Sequence, residues 1–217
     1  PTLAGPEIGV ASTKAFTAQL AVLALLSLHI QQQNNNIEKY VFNSLFRIHE
    51  SISKILFDLQ KYKKIAHSLR DAKSIFYIGR GIMYPIALEG ALKLKEITYK
   101  HCEGYAAGEL KHGPLALVEK NIPIIVVAPF NENFSKIISN IQEIKARGGK
   151  IILITDSLGL KKAKKFCDQH ILMPKTNFLS APIIYSIPLQ LIAYYLAVKL
   201  GTNIDQPRNL AKSVTVE

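Results

Sequence analysis

Short apolar runs that alternate with longer helical segments are the feature that most restricts the fold of this chain. Four such runs occupy residues 74–79, 122–129, 150–155 and 170–174. A strand that is apolar on both faces must be covered on both faces, and strands that alternate with helices pair in parallel. The sequence therefore predicts an α/β fold, a three-layer α/β/α sandwich around a parallel sheet.

The segments between these runs carry helix signals. A helix follows Gly79-Arg80-Gly81, has Pro85 in its first turn and extends to about residue 100, because proline fits the first turn of a helix. Another helix over about 132–147 stops at a glycine pair, and a long apolar helix ends at Gly201. Glycine is the preferred residue just past a helix end.

The residues before the first strand are also predicted to be helical. Ser12 or Thr13 can cap a helix over 15–30, and its apolar residues on every face predict burial on more than one side. Two amphipathic helices over 37–49 and 51–69 would form a helical connector. The apolar stretch is shorter than the roughly 20 residues that span a bilayer, so we expect no membrane segment.

Charge and cysteine usage limit the partners and the compartment. The net charge of +11 suits an anionic partner, either nucleic acid or phosphorylated metabolites. The basic run at 161–165 lacks interleaved aromatic side chains, so we expect a solvated face there and no nucleic-acid site. Cys102 and Cys167 lie far apart in sequence. We expect no secretory leader, and therefore free thiols in the core of a cytoplasmic protein.

Motifs for metal binding and for serine hydrolysis do not occur. The six histidines and two cysteines form no C-x-x-C or H-x-x-x-H set, and there is no G-x-S-x-G elbow. Metal sites need such spacing of their ligands. We therefore expect no metal centre.

Three places could carry chemistry, and each has a structural alternative. Gly79-Arg80-Gly81 could hold a phosphate at a helix start, or could be a tight turn. Lys93 and Glu96 share a helix face, where a buried ion pair could hold a carboxylate as a proton-transfer base, or they could be an exposed pair. His112 could act as a general acid or base, or could be an ordinary loop histidine.

Four segments resemble the isomerase half of the glucosamine-6-phosphate synthase family, in the order in which that family has them. They are EIGVASTKAFTAQL, ALEGALKLKEITY, AAGELKHGPLAL and DQPRNLAKSVTVE. The resemblance implies the sugar-isomerase (SIS) fold and the conversion of fructose 6-phosphate and glutamine-derived ammonia into glucosamine 6-phosphate. It also implies that neither a metal nor an organic cofactor takes part.

Carried over by position, the resemblance implies roles for individual residues. Glu96 would move the proton between C1 and C2, and Lys212 would form a Schiff base with the open-chain ketose. His112 would assist ring opening from the neighbouring subunit of a homodimer. Supporting and sugar-lining roles fall to five further residues: Lys93, Arg208, Val10, Ser12 and Ala211.

The resemblance also implies a division of the chain. Residues 1–36 would be the incomplete end of a first SIS domain, 37–70 a helical connector, 71–201 the second SIS domain, and 202–217 a catalytic tail. The family's glutaminase domain and the phosphate-binding loop of the first SIS domain would lie upstream of Pro1. We therefore expect a part of a larger protein, inactive or weakly active alone.

Other functions of the same fold remain open. One alternative is a non-catalytic, sugar-phosphate-binding regulatory SIS domain, although such a domain has no need of Lys212. A second is a deglycase or phosphosugar isomerase of the SIS type. A nucleic-acid binder rests on net charge alone, and neither nucleic acid nor membrane is an expected partner.

Overall fold

The computed structural model describes residues 2–32 and 39–212. Eight α-helices and five β-strands are described, joined by short 3-10 helices. The helices are α1 (Lys14–Gln32), α2 (Lys39–Phe46), α3 (Ile48–Phe57), α4 (Gln60–Ser68), α5 (Met83–Thr98), α6 (Phe134–Lys145), α7 (Ser157–Ala163) and α8 (Ala181–Leu200). The strands are β1 (Ser74–Gly79), β2 (His101–Ala106), β3 (Pro123–Val127), β4 (Lys150–Thr155) and β5 (Gln169–Leu172).

The five strands form one sheet in the order β2-β1-β3-β4-β5, and every neighbouring pair is parallel. Because all strands run the same way, their carboxyl ends lie along one edge. The loops that lead into α5, α6 and α7 gather at this edge, where parallel α/β sheets usually bind ligands.

Apolar side chains of the central strands alternate between two buried clusters. On one face, Ile75 and Tyr77 pack with α3, α4, α5 and α8. On the other face, Phe76 and Ile78 pack with α6, α7 and the 3-10 helices. Side chains of successive strand residues point to opposite faces, so both faces are covered. The predicted three-layer α/β/α sandwich is confirmed.

One strand was not predicted from the sequence. β2 lies in a segment for which no strand was expected, yet it pairs with β1 over six residues. Its residues, HCEGYA, are mostly polar, and only Cys102 is buried. An edge strand has a neighbour on one side only and often carries polar or charged side chains. Such a strand cannot be recognised from a run of apolar residues. The short helix α7, which Asp156 caps through the N–H groups of Leu158 and Gly159, was missed as well.

The amino-terminal helices differ from their predicted form. The helix predicted over 51–69 is broken, because Asp58 is extended and its side chain accepts the N–H of Gln60 at the start of α4. α1 was predicted to be buried on more than one side. It packs against α8 and the main core with one face, on which Ala24 and Leu28 are buried. Its other described apolar side chains are largely exposed, among them Val22, Leu23, Leu25, Leu26 and Ile30.

By length and composition alone, α1 and α8 could each cross a membrane. The apolar window of α8 is 67% buried inside the molecule and that of α1 is 11% buried. Buried core helices pass the same test, so the result for α8 follows from its position under the sheet. The expectation of no membrane segment stays a prediction.

The two cysteines are free, as predicted. Cys102 is buried, and burial raises the pKa of its thiol to about 12. Cys167 is only partly buried and packs against one core cluster from outside, so its expected core position is confirmed only in part. It lies just after the 3-10 helix Lys164–Phe166, at the edge of the sheet beside β5.

Candidate functional site

A cluster of three charged side chains lies on the inner side of α5. The Lys93 ammonium is 2.6 Å from Glu96 Oε2 and 3.5 Å from Glu89 Oε1. Three or four residues separate these positions, so one helix face carries all three. The Lys93 side chain is only 6% exposed, against 20% for Glu96. The sequence left open whether Lys93 and Glu96 form a buried or an exposed ion pair. In the structure the pair is largely buried.

The chemistry of this cluster follows from its burial. Burial raises the pKa of Glu89, an effect that the Lys93 charge opposes and the Glu96 charge reinforces. Glu96 has the shorter contact with Lys93, which fixes the direction of its carboxylate. A carboxylate held in this way beside a cavity is suited to proton transfer.

The segment before α1 forms the opposite wall of the site. Val10 N–H donates to the Asp205 carbonyl at 2.8 Å, so residues 6–12 lie alongside the carboxyl-terminal tail. A cavity of about 340 Å³ opens between this segment, α5 and α8. Lys93 and Glu7 line it together. The charged cluster of α5 and the amino-terminal segment thus face one space.

The described part of the tail folds back across the end of α5. Thr202 Oγ1 donates to the Ile97 carbonyl at 2.6 Å, and Arg208 N–H donates to the Tyr99 hydroxyl at 2.8 Å. The Arg208 guanidinium also lies 4.3 Å from the centre of the Tyr99 ring. Tyr99 ends α5 in the left-handed conformation (φ 59°), which turns its ring toward the tail. Residues 213–217 of the predicted tail lie outside the described residues.

These contacts bring Lys212 to the amino-terminal segment, 202 residues away in sequence. Its Nζ is 3.3 Å from the Val10 carbonyl oxygen and 3.3 Å from Glu7 Oε2. Ser12 Oγ donates to the same Glu7 oxygen at 3.1 Å. Val10, Ser12 and Lys212 therefore meet in space, and Ala211 lies next to Lys212 on an exposed stretch of chain.

The structure does not bring His112 into contact with these groups. His112 ends the 3-10 helix Ala107–His112, and its side chain is 75% exposed. Its Nε2 lies 3.9 Å from Glu109 Oε2. His112 is consequently free to face a second molecule.

The turn Gly79-Arg80-Gly81 has a structural explanation. A Cβ atom at residue 79 would collide with the Met83 carbonyl of α5, and Gly81 adopts the left-handed conformation (φ 56°). Both glycines are therefore needed by the backbone. This supports the tight-turn interpretation of the motif over the phosphate-binding one.

Two residues of the site were missed in the sequence. Glu7 lies before a helix, where an acidic residue usually has only a capping role. Tyr99 stands at a helix end without any local signal. Only the long-range contacts to the tail show what these two side chains do.

Comparison with known proteins shows the family to which this chain is related. A family model described as the SIS domain matches residues 68–200. Over its whole length the chain is 53% identical to the glutamine–fructose-6-phosphate aminotransferase (isomerizing) of Zymomonas mobilis, and it spans 36% of that protein. A relative of the same name from Rhizobium meliloti is 52% identical, with the same shares covered. The chain thus spans about a third of the length of the relatives it matches.

Solved structures show the same likeness. The C-terminal domain of glucosamine-fructose-6-phosphate aminotransferase from Francisella tularensis superposes with a TM-score of 0.88 at 45% identity, covering 93% of this chain and 58% of that one. The tagatose-6-phosphate ketose/aldose isomerase of Escherichia coli superposes with a TM-score of 0.70 at 19% identity, covering 94% and 55%. The latter shows a shared fold alone.

Proposed function

The chain belongs to the SIS domain family, and we propose that it carries the isomerase site of a glutamine–fructose-6-phosphate aminotransferase. It is homologous to the carboxyl-terminal region of such enzymes. The proposed reaction makes glucosamine 6-phosphate from fructose 6-phosphate and glutamine-derived ammonia. The glutaminase part and the first SIS domain of the full enzyme would complete this chain, and the site would work in the cytoplasm, in hexosamine biosynthesis.

One observation carries the proposal. The Lys212 amine lies 3.3 Å from Glu7 Oε2, and Glu7 lines one wall of a cavity. Lys93 lines the other wall, with Glu96 bound to it at 2.6 Å. An amine and a positioned carboxylate, each bound to a residue that lines the same cavity, are the two groups that imine formation followed by enolisation requires.

The roles follow from the chemistry of each group. The Lys212 nitrogen attacks C2 of the open-chain ketose, the carbonyl oxygen leaves as water, and a protonated imine results. Ammonia then adds to C2 and the Lys212 amine leaves, so that the protonated imine at C2 now carries the ammonia nitrogen. This cation draws electrons from C1, so that a C1 proton becomes acidic. Glu96 takes that proton and returns it to C2, while the Lys93 ammonium holds the carboxylate in place. Ring opening, which precedes these steps, falls to His112.

The exposed position of His112 favours a homodimer in which each subunit lends this histidine to the other. A histidine that is 75% exposed, with the Glu109 carboxylate 3.9 Å away, is available to a second copy. Sedimentation that showed only monomers at high concentration would count against the shared site.

Borohydride trapping tests the proposal. The chain is reduced in the presence of millimolar fructose 6-phosphate, and the sugar adduct is mapped by mass spectrometry in the wild type, in Lys212→Ala and in the control Lys120→Ala. We expect an adduct on Lys212 that Lys212→Ala loses and Lys120→Ala keeps. Adducts spread evenly over exposed lysines, or none on Lys212, would contradict the proposal. Product analysis with and without ammonia then separates an aminotransferase from a simple isomerase or a deglycase.

A further inference from the structure

Glu7 is bound from several directions at the point where the tail meets the amino-terminal segment. Its Oε1 accepts the N–H groups of Thr13 at 2.8 Å and Ala15 at 3.4 Å, at the start of α1. Its Oε2 accepts the Ser12 hydroxyl at 3.1 Å and faces the Lys212 ammonium at 3.3 Å. One oxygen thus caps α1, and the other binds Ser12 and the tail residue Lys212.

The carboxylate keeps its charge in this place. Its side chain is only 12% exposed. Burial by itself raises the pKa of Glu7, but the Thr13 N–H, the Ser12 hydroxyl, the Ala15 N–H and the Lys212 ammonium together lower it below the ordinary value. An ionised carboxylate therefore lines the cavity beside the tail lysine.

We propose that Glu7 is a positioning residue for the Lys212 amine, which it holds as a counter-ion against the wall of the cavity. The inference rests on the proposed function and deepens it. Condensation of an ammonium with a ketone gives a protonated imine and one water, so the lysine nitrogen is positive both before and after the step. A fixed negative charge 3.3 Å away stabilises both states and directs the nitrogen to one place.

Because the two Glu7 oxygens have different partners, one substitution can remove the charge and keep the helix cap. In Glu7→Gln one carbonyl oxygen remains, and it can still accept the Thr13 and Ala15 N–H groups. The negative charge that faces Lys212 is lost, so the variant removes the counter-ion and keeps the helix cap. Glu7→Asp retains the charge on a side chain one methylene shorter. Glu50→Gln, in the exposed ion pair with Arg47, is the matched control.

Amine reactivity is the first readout. Each protein is labelled briefly with acetic anhydride, and the labelling rate of Lys212 is compared with that of the exposed Lys120. An exposed ion pair favours the bound over the free lysine by up to about fivefold in the equilibrium constant. We expect Glu7→Gln to raise Lys212 labelling by up to this factor. Salt should raise it in the wild type but not in the variant, because salt screens an ion pair.

The sugar adduct is the second readout. We expect Glu7→Gln to trap less fructose 6-phosphate on Lys212 although its amine reacts faster with anhydride, because the freed amine is no longer directed at the carbonyl. Glu7→Asp should recover part of the adduct and of the salt response. Lys93, which is buried, reports on folding, since its labelling stays slow only while the site is intact.

Each outcome decides the inference. Lys212 labelling in Glu7→Gln equal to that of the wild type, or a wild-type adduct yield, would overturn it. If Lys93 labelling also rises, Glu7→Gln has opened the fold, and the comparison then depends on Glu7→Asp. If Glu7→Asp and Glu7→Gln show the same Lys212 labelling and the same adduct yield, the negative charge of Glu7 does not position the amine. Failure of the proposed function looks different, because the wild type itself would then form no Lys212 adduct.

Discussion

Replacement of Lys93 by methionine should destabilise the protein, and more at neutral than at acidic pH. Methionine keeps most of the side-chain volume and removes the ammonium that neutralises two carboxylates, Glu96 at 2.6 Å and Glu89 at 3.5 Å. Loss of one partner from a buried ion pair costs about 3–5 kcal/mol. Because the carboxylates are still 14% and 20% exposed, water lessens the penalty, and we expect about 2–3 kcal/mol at pH 7.

The pH dependence follows from the sign of the pKa shift. The pKa of Glu89 is already raised by burial, so the folded state binds this proton more tightly than the unfolded state does. A raised carboxyl pKa favours folding at low pH, and this stability is lost as the pH rises through the folded-state pKa. Without Lys93 the two carboxylates repel each other, which raises that pKa further. The loss in Lys93→Met should therefore shrink toward pH 5.

Urea unfolding followed by circular dichroism at pH 5 and pH 7 measures both effects. Lys95→Met is the matched control, since Lys95 lies on the same helix but is half exposed and pairs with Glu103 at 3.4 Å. An exposed pair contributes about 0.2–1 kcal/mol. If Lys93→Met cost no more than Lys95→Met, or cost the same at both pH values, the buried cluster would not have the energetics argued for it.

Three further predictions concern the rest of the fold. Cys167 should react with a thiol reagent in the native protein well before Cys102, whose thiol is buried and has a pKa of about 12; equal native rates, measured by mass spectrometry, would contradict the burial of Cys102. Tyr99→Phe leaves the Arg208 N–H without its acceptor and should cost about 1 kcal/mol, seen as faster trypsin cleavage after Arg208 with no change elsewhere. Gly79→Ala should lower stability by about 1–3 kcal/mol, because its methyl group would collide with the backbone at the start of α5. Thermal unfolding measures the loss, and an unchanged Tm would mean that this backbone can move aside.

The elements that could be predicted from sequence are those whose surroundings are uniform. β1, β3 and β4 lie inside the sheet, where both faces are apolar, and the sequence shows this directly. β2 lies at the edge and has a mixed environment, so its residues resemble a loop. The break in the connector at Asp58 depends on one hydrogen bond to Gln60, and helical periodicity continues across it. Local pattern therefore revealed the core and missed the boundaries.

The candidate site divides in the same way. Lys93 and Glu96 are three residues apart on a helix, so their pairing could be predicted from spacing, although spacing could not tell a buried pair from an exposed one. The contact of Lys212 with Glu7 joins positions 205 residues apart. It depends on the tail crossing the end of α5 at Tyr99 and Arg208, an arrangement of the folded chain. The resemblance to a known family implied a role for Lys212 but none for Glu7, although Glu7 begins one of the matching segments.

The two lysine and carboxylate pairs of this cavity differ in how firmly they are held. The Lys93 side chain is 6% exposed and meets two carboxylates, so separation would leave charges in a poorly solvated place. The Lys212 side chain is 47% exposed and its carboxylate contact is longer, so water can replace Glu7 at little cost. A proton-transfer base must stay in position while the reaction proceeds, whereas a lysine that forms an imine must move toward its substrate. The buried pair suits the fixed role of Glu96, and the exposed pair suits the mobile role of Lys212.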